Sequence, residues 1–152
     1  MKNICIGLFE GEMLPESLAA FKDVKLDLEF GKVTTIYTLN QLDCEKVVVV
    51  GLGDGKKNIK EAFSKVEADD YLVYVTENTA YAAGFGLVYG AYSYKETKVY
   101  DLESDSFKDE FEKGKTVARI VNHAREISDM PANFLTPDHL VDEAKMVAEK
   151  YG

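Results

Sequence analysis

An α/β fold, with a mixed central sheet and helices on both of its faces, is what this sequence of 152 residues predicts. From residue 46 onward, short apolar runs alternate with helical patterns, the rhythm of strand–helix–strand units around a sheet. Two of those runs, 47–50 and 71–75, are apolar at nearly every position, as strands covered on both faces are. Before residue 40 the apolar residues instead alternate with polar ones, which marks strands with one wet face.

The elements are justified in chain order. Ile4, Ile6 and Leu8 recur at every second position and predict a first strand over 3–9. Residues 15–21, opening on Pro15, suit a short helical turn. Val24, Leu26, Leu28 and Phe30 alternate with Lys25, Asp27 and Glu29 and predict a second strand. Gly31-Lys32 separates it from the β-branched and aromatic stretch 33–39, so these two strands are expected to form a hairpin. After the buried strand at 46–50, Asn58 is placed to cap a helix over 59–66, whose inner face carries Ile59, Ala62, Phe63 and Val66. The next buried strand is 71–75, Asn78 or Thr79 caps a glycine-rich helix, and 97–102 reads as a short edge strand. Ser106 is placed to cap a helix running through Phe107, Phe111, Gly114, Val117, Val121, Ala124 and Ile127, long enough to link two domains. Residues 129–133 break it. Thr136-Pro137 opens a last helix through Leu140, Ala144, Val147 and Ala148, closing at Tyr151-Gly152. The chain accordingly divides into one domain over 1–110 and a segment over 111–152, read as a linker helix and the truncated start of a second domain.

Composition narrows the function classes. Apolar residues make up 46% of the chain, which suits a packed core rather than disorder. The longest apolar run is far short of the ~20 residues needed to cross a bilayer, and the N-terminus lacks the pattern of a secretory signal. Together these predict a cytoplasmic chain without a membrane partner. With 27 acidic against 18 basic residues and a net charge of −9, the chain has no basic stripe with which to neutralise nucleic-acid phosphates. Cys5 and Cys44 make no disulfide framework and read as reduced, buried small hydrophobes.

Few motifs offer chemistry. Gly51-Leu52-Gly53-Asp54-Gly55 lies between a buried strand and a helix, where backbone N–H groups and a helix N-terminus can receive a phosphate. Its glycine spacing differs from the dinucleotide fingerprint, however, and Asp54 would repel the ligand. Ala82, Gly86, Gly90 and Ser93 share one helical face, an arrangement that lets a backbone approach a sheet closely. Tyr81, Phe85, Val88 and Tyr92 form a neighbouring stripe suited to core and interface. His123 and His139 fall on different helices, without metal-ligand spacing, and no serine or cysteine sits in a nucleophile pattern. The acidic residues Asp105, Asp109, Glu110 and Glu112 suit the start of a helix. No catalytic or metal residue is expected in this chain.

Three stretches carry a resemblance. Ala124, Arg125, Pro131, Asn133, Leu135, Thr136 and Pro137 fit a domain-junction run, from which Glu126, Ser128 and Asp129 depart. Residues 82–95 match a small-residue helix ending in an aromatic, glycine-bearing and basic sequence, and 47–53 match a strand followed by Gly-Leu-Gly. In this order they resemble the leucyl (cytosol) aminopeptidases, peptidase family M17. The resemblance implies a macro-like, three-layer N-terminal domain that is itself non-catalytic and serves subunit assembly and positioning of a catalytic domain. It implies a full-length enzyme that removes N-terminal amino acids from peptides, with two divalent metals, zinc or manganese, in the missing catalytic domain, and a homo-hexamer. Arg125, Pro131, Asn133 and Pro137 are then junction residues. The macro-like likeness also raises the alternative of a stand-alone module binding ADP-ribose or a related nucleotide at Gly51, Gly53 and Gly55.

Overall fold

A computed structural model describes residues 2–151; Met1 and Gly152, the expected close of the last helix, lie outside the described residues. Five strands form one mixed sheet in the order β2-β3-β1-β4-β5. They are β1 (Asn3–Leu8), β2 (Val33–Tyr37), β3 (Lys46–Gly51), β4 (Tyr71–Tyr74) and β5 (Leu102–Ser104). β1 lies at the centre, parallel to β3 on one side and β4 on the other, and β5 continues the parallel set. β2 is the antiparallel edge, with Thr35 opposite Val48. The three-layer α/β architecture expected from the strand–helix rhythm is the one observed.

The two faces are covered differently. On one, α1 (Ile59–Phe63), α2 (Ala80–Gly90) and the first half of α3 (Lys108–Asp129) enclose Cys5, Val48, Val50, Phe63, Val73, Leu87 and Phe111. On the other, a 3-10 helix over Glu16–Phe21 and the loop after it cover Ile6, Leu8, Ile36, Val47 and Val49 with Leu18 and Phe21. The valines of β3 alternate between these two cores, which is why that run needs an apolar residue at every position. Asn58 caps α1 as expected, its side chain accepting from the Lys60 amide at 3.3 Å.

Residues 24–30 are not a strand, and the expected hairpin with 33–39 does not form. Leu26 and Leu28 do pack against the second core, so the alternation correctly marks an apolar side. The backbone takes another course. Asp27 accepts from the Glu29 amide and bends the chain, and the Leu28 carbonyl accepts from Gly53. Gly31 and Lys32 instead pair with Gly51, which aligns β2 on β3. The edge strand at 97–102 is displaced to Leu102–Ser104: Thr97 folds back on Ser93, and β4 begins only at Tyr71, opposite Leu102.

Ser106 does not cap α3. Its hydroxyl donates to the Val75 carbonyl at 3.0 Å, and the capping position falls to Phe107 in a left-handed conformation. Gly86 and Gly90 do permit a close approach, but to α1 rather than to the sheet: a Cβ on either would collide with the backbone of Lys60 or Ser64. Cys5 is fully buried, whereas Cys44 is only partly so; burial pushes both thiols up, Cys5 to about 12.

The turn after β2 carries a strained residue. Thr38 accepts from the Gln41 amide across a turn whose central residues, Leu39 and Asn40, both have positive φ (48° and 66°). A left-handed leucine costs about 1–2 kcal/mol, and Leu39 is 81% exposed, so little contact offsets that cost. Leu39→Asn is expected to stabilise the fold by about 1 kcal/mol, because asparagine tolerates this conformation. Chemical denaturation of the two proteins checks it; an unchanged midpoint would mean that the exposed leucine carries a compensating contact.

Candidate functional site

The glycine loop is consumed by the fold. The amides of Gly51, Leu52 and Gly53, the donors a phosphate would need, go to the carbonyls of Lys32, Leu8 and Leu28 at 2.8–3.1 Å. Phe30 lies against Gly53 and Phe9 beside Gly55, and the ammonium groups of Lys57 and Lys65 sit over the Phe30 ring. The left-handed φ of Gly53 (65°) and Gly55 (80°) supplies the local reason for glycine there. Asp54 accepts from the Lys56 amide and pairs with its ammonium, which together hold the Asp54 carboxyl below its ordinary range. This arrangement does not favour a nucleotide ligand.

Of the expected junction residues, Arg125 is the one held by side chains and backbone of another helix. α2 and α3 cross where each offers a glycine to the other's backbone: a Cβ on Gly84 would meet the Phe111 carbonyl, and one on Gly114 the Tyr81 carbonyl. This close crossing sets the end of α2 beside the last turns of α3. There the Arg125 guanidinium lies between the rings of Tyr89 and Tyr92, 4.3 and 4.2 Å from their centroids. It donates to the Tyr89 carbonyl at 3.0 Å and to Asn122 Oδ1 at 3.2 Å, and Asn122 in turn donates to the Val88 carbonyl. The Tyr92 hydroxyl donates to Asp129 at 2.6 Å. A planar cation stacked between rings and forked onto acceptors is a role that lysine fills poorly.

Past the clamp, Met130 turns extended (ψ 132°), as a residue before proline must, and Pro131 ends α3. The Pro131 carbonyl accepts from the amides of Phe134 and Leu135, closing a tight turn in which Asn133 is exposed. Thr136 caps α4 (Pro137–Tyr151), its hydroxyl oxygen accepting from the His139 amide at 3.2 Å. Pro137 occupies the first helical position, where the missing N–H costs nothing. The structure thus brings Arg125 together with the aromatic end of α2 and places Pro131, Asn133 and Pro137 in the turn beyond it.

Two features of this region went unread in the sequence. The Tyr89–Arg125–Tyr92 sandwich joins residues 36 apart, and only the aromatic pair three apart on α2 could have hinted at it. His123 of α3 and His139 of α4 both lie near the Glu143 carboxylate, at 3.3 and 3.6 Å, where the two helices meet. The i, i+4 spacing of His139 and Glu143 was the legible part of that contact. Among the described residues no group of three or more His, Cys, Asp or Glu could hold a metal ion.

Partial burial first, and then the Asp129 carboxylate, push the Tyr92 phenol up to about 12. A raised acid contributes stability that is complete below its unfolded value near 10 and is lost as pH rises through its folded value. Between about pH 10 and 12, wild type is therefore expected to lose more stability than Tyr92→Phe, read from paired denaturation curves. Equal losses would show that the phenol–carboxylate contact does not couple to folding.

No family model matches this chain. The cytosol aminopeptidase of Rattus norvegicus is 32% identical over 76% of this chain and 27% of its own length. The chain thus spans about a quarter of that relative. Two solved structures share the fold over nearly the whole chain. The bottromycin maturation enzyme BotP in complex with Mn has a TM-score of 0.73 at 18% identity, covering 98% of this chain and 36% of BotP. The cytosol aminopeptidase of Coxiella burnetii has a TM-score of 0.66 at 16% identity, covering 99% of this chain and 36% of its own. The sequence match and the shared three-layer fold agree, and this chain is homologous to the N-terminal part of the cytosol aminopeptidases, peptidase family M17.

Proposed function

We propose that this chain is the non-catalytic N-terminal domain of a cytoplasmic, metal-dependent leucyl aminopeptidase, and that its work is to position a catalytic domain and support subunit assembly. The first domain covers 1–110, and 111–152 leads into the catalytic domain. The observation that carries this reading is the α4 surface. Leu140, Val141 and Val147 are 45–51% exposed on α4, a helix that meets α3 where His123 approaches Glu143. An apolar helix face left in water calls for a covering partner, and the Arg125 clamp and the Pro131 turn aim that face in one direction. The whole protein would remove N-terminal residues from peptides as a homo-hexamer, using two zinc or manganese ions held outside these residues. Manganese in the complex of the similar BotP enzyme supports that choice of metal.

Expression of the gene's full reading frame beside residues 1–152, both assayed on a leucine anilide with added manganese, tests this. Activity in the longer protein alone is expected. Activity in the 152-residue chain would overturn the non-catalytic assignment, and none in the longer protein would overturn the aminopeptidase.

A further inference from the structure

We propose that the cavity between the end of α2, the 91–101 loop and α3 binds a small zwitterion: a free amino acid with an apolar side chain. The cavity holds about 200 Å³, below the roughly 300–1,000 Å³ of sites that take drug-sized ligands. That size excludes a nucleotide and leaves room for a single amino acid. Its floor is apolar, made by Val88, Ala91 and the buried Leu102.

The charges at the wall specify the rest. Lys98 and Arg119 supply two cations, and Glu126 one anion. None of the three is engaged in an ion pair or side-chain hydrogen bond among the described residues. Two polar neighbours, by contrast, are occupied: Tyr92 by Asp129, and Asn122 by Val88 and Arg125. Lys98 and Arg119 are exposed and Glu126 is half-buried, so the three charges stand at the rim of the cavity with the apolar floor beneath them. A carboxylate received by Arg119 and Lys98, with an ammonium received by Glu126, answers all three charges. The side chain then covers Val88 and Leu102. A ligand with only one of those groups forgoes the charge-assisted contact that the other would make. Free amino acids are also what the proposed reaction releases, and in that respect the inference rests on that reading. Recognition itself requires the cavity alone.

Amide NMR titration of the 152-residue chain with L-leucine, leucinamide and N-acetyl-leucine tests it. Saturable shifts at Val88, Ala91 and Leu102 are expected with leucine at about 10 mM or below. The two singly charged analogues should bind at least about tenfold more weakly. Arg119→Ala and Glu126→Gln should each weaken leucine about tenfold with an unchanged thermal midpoint, and Lys57→Ala, on the Phe30 side, should change nothing. Absence of saturable shifts at the cavity overturns the proposal, as does equal binding of the three ligands or wild-type affinity in a folded variant. Should Arg119→Ala fail to fold, Glu126→Gln and the analogue series still decide. No step reads peptidase activity, so failure of the aminopeptidase assignment and failure of this site are separate results.

Discussion

Gly114→Val is expected to lower stability by about 3 kcal/mol, the upper part of the usual range for overpacking. For a chain of this size that corresponds to a thermal midpoint lower by roughly 10 °C. The reason lies at the crossing of α2 and α3. A Cβ at position 114 falls on the Tyr81 carbonyl, with the Phe85 amide nitrogen only 2.9 Å away. Both obstacles are backbone, so no side-chain rotation relieves the clash. Separating the helices would uncover Phe111 and Ala118, which are fully buried. Gly114→Ala sharpens the test, because alanine recovers about 1 kcal/mol of helix propensity while keeping most of the clash. Circular dichroism melts of both variants should show a loss for alanine that is smaller than for valine. A stabilising Gly114→Ala would mean that the helices do not approach this closely. The cost is not confined to the core: α3 carries Arg125 and leads to α4, so its displacement also moves the surface proposed to meet the catalytic domain.

Arg125→Ala is expected to cost about 2–3 kcal/mol, from charge-assisted hydrogen bonds worth about 1.5–3 kcal/mol and two partly desolvated ring contacts. Truncation also leaves the Tyr89 carbonyl and Asn122 Oδ1 without this donor. Arg125→Lys should recover less than half of the loss, because an ammonium cannot stack flat between the Tyr89 and Tyr92 rings. Hydrogen exchange locates the effect: protection should fall over 122–129 and in α4, and should persist around Phe111. A change below about 0.5 kcal/mol would reduce the clamp to a surface contact, and full rescue by lysine would leave charge alone as its basis. In the proposed full-length aminopeptidase the same variant is expected to lower activity through the placement of the Pro131 turn and α4.

Much of the fold was legible because periodicity reports burial directly. The uninterrupted valines of β3 could only be a strand covered on both faces, and they are the strand whose side chains divide between the two cores. Asn58 announced α1, and Thr136-Pro137 announced α4, because capping chemistry is local. The misreadings share one cause. Val24 to Phe30 has the side-chain pattern of a strand, and Leu26 and Leu28 do face a core, but pattern carries no information about where backbone hydrogen bonds go. They go to Gly53 and to the Asp27 carboxylate. Ser106 likewise has the right chemistry for a cap and spends its hydroxyl on Val75.

The candidate site divides along the same line. The proposed junction run, with Arg125, Pro131, Asn133 and Pro137, is visible in the sequence, and the Pro131 and Pro137 turn chemistry comes from dihedral limits any peptide obeys. The partners of Arg125 could not. Tyr89 and Tyr92 reach it only because Gly84 and Gly114 allow two helices to cross almost backbone to backbone. By itself the sequence determined the α/β class, the strands of the sheet's centre, the caps of α1 and α4 and the family resemblance. Tertiary structure alone decided which residues meet across α2 and α3, where residues 24–30 run, and which charges face the cavity. Those outcomes depend on long-range packing and on the competition of distant groups for the same hydrogen-bond donors, neither of which is written in local spacing.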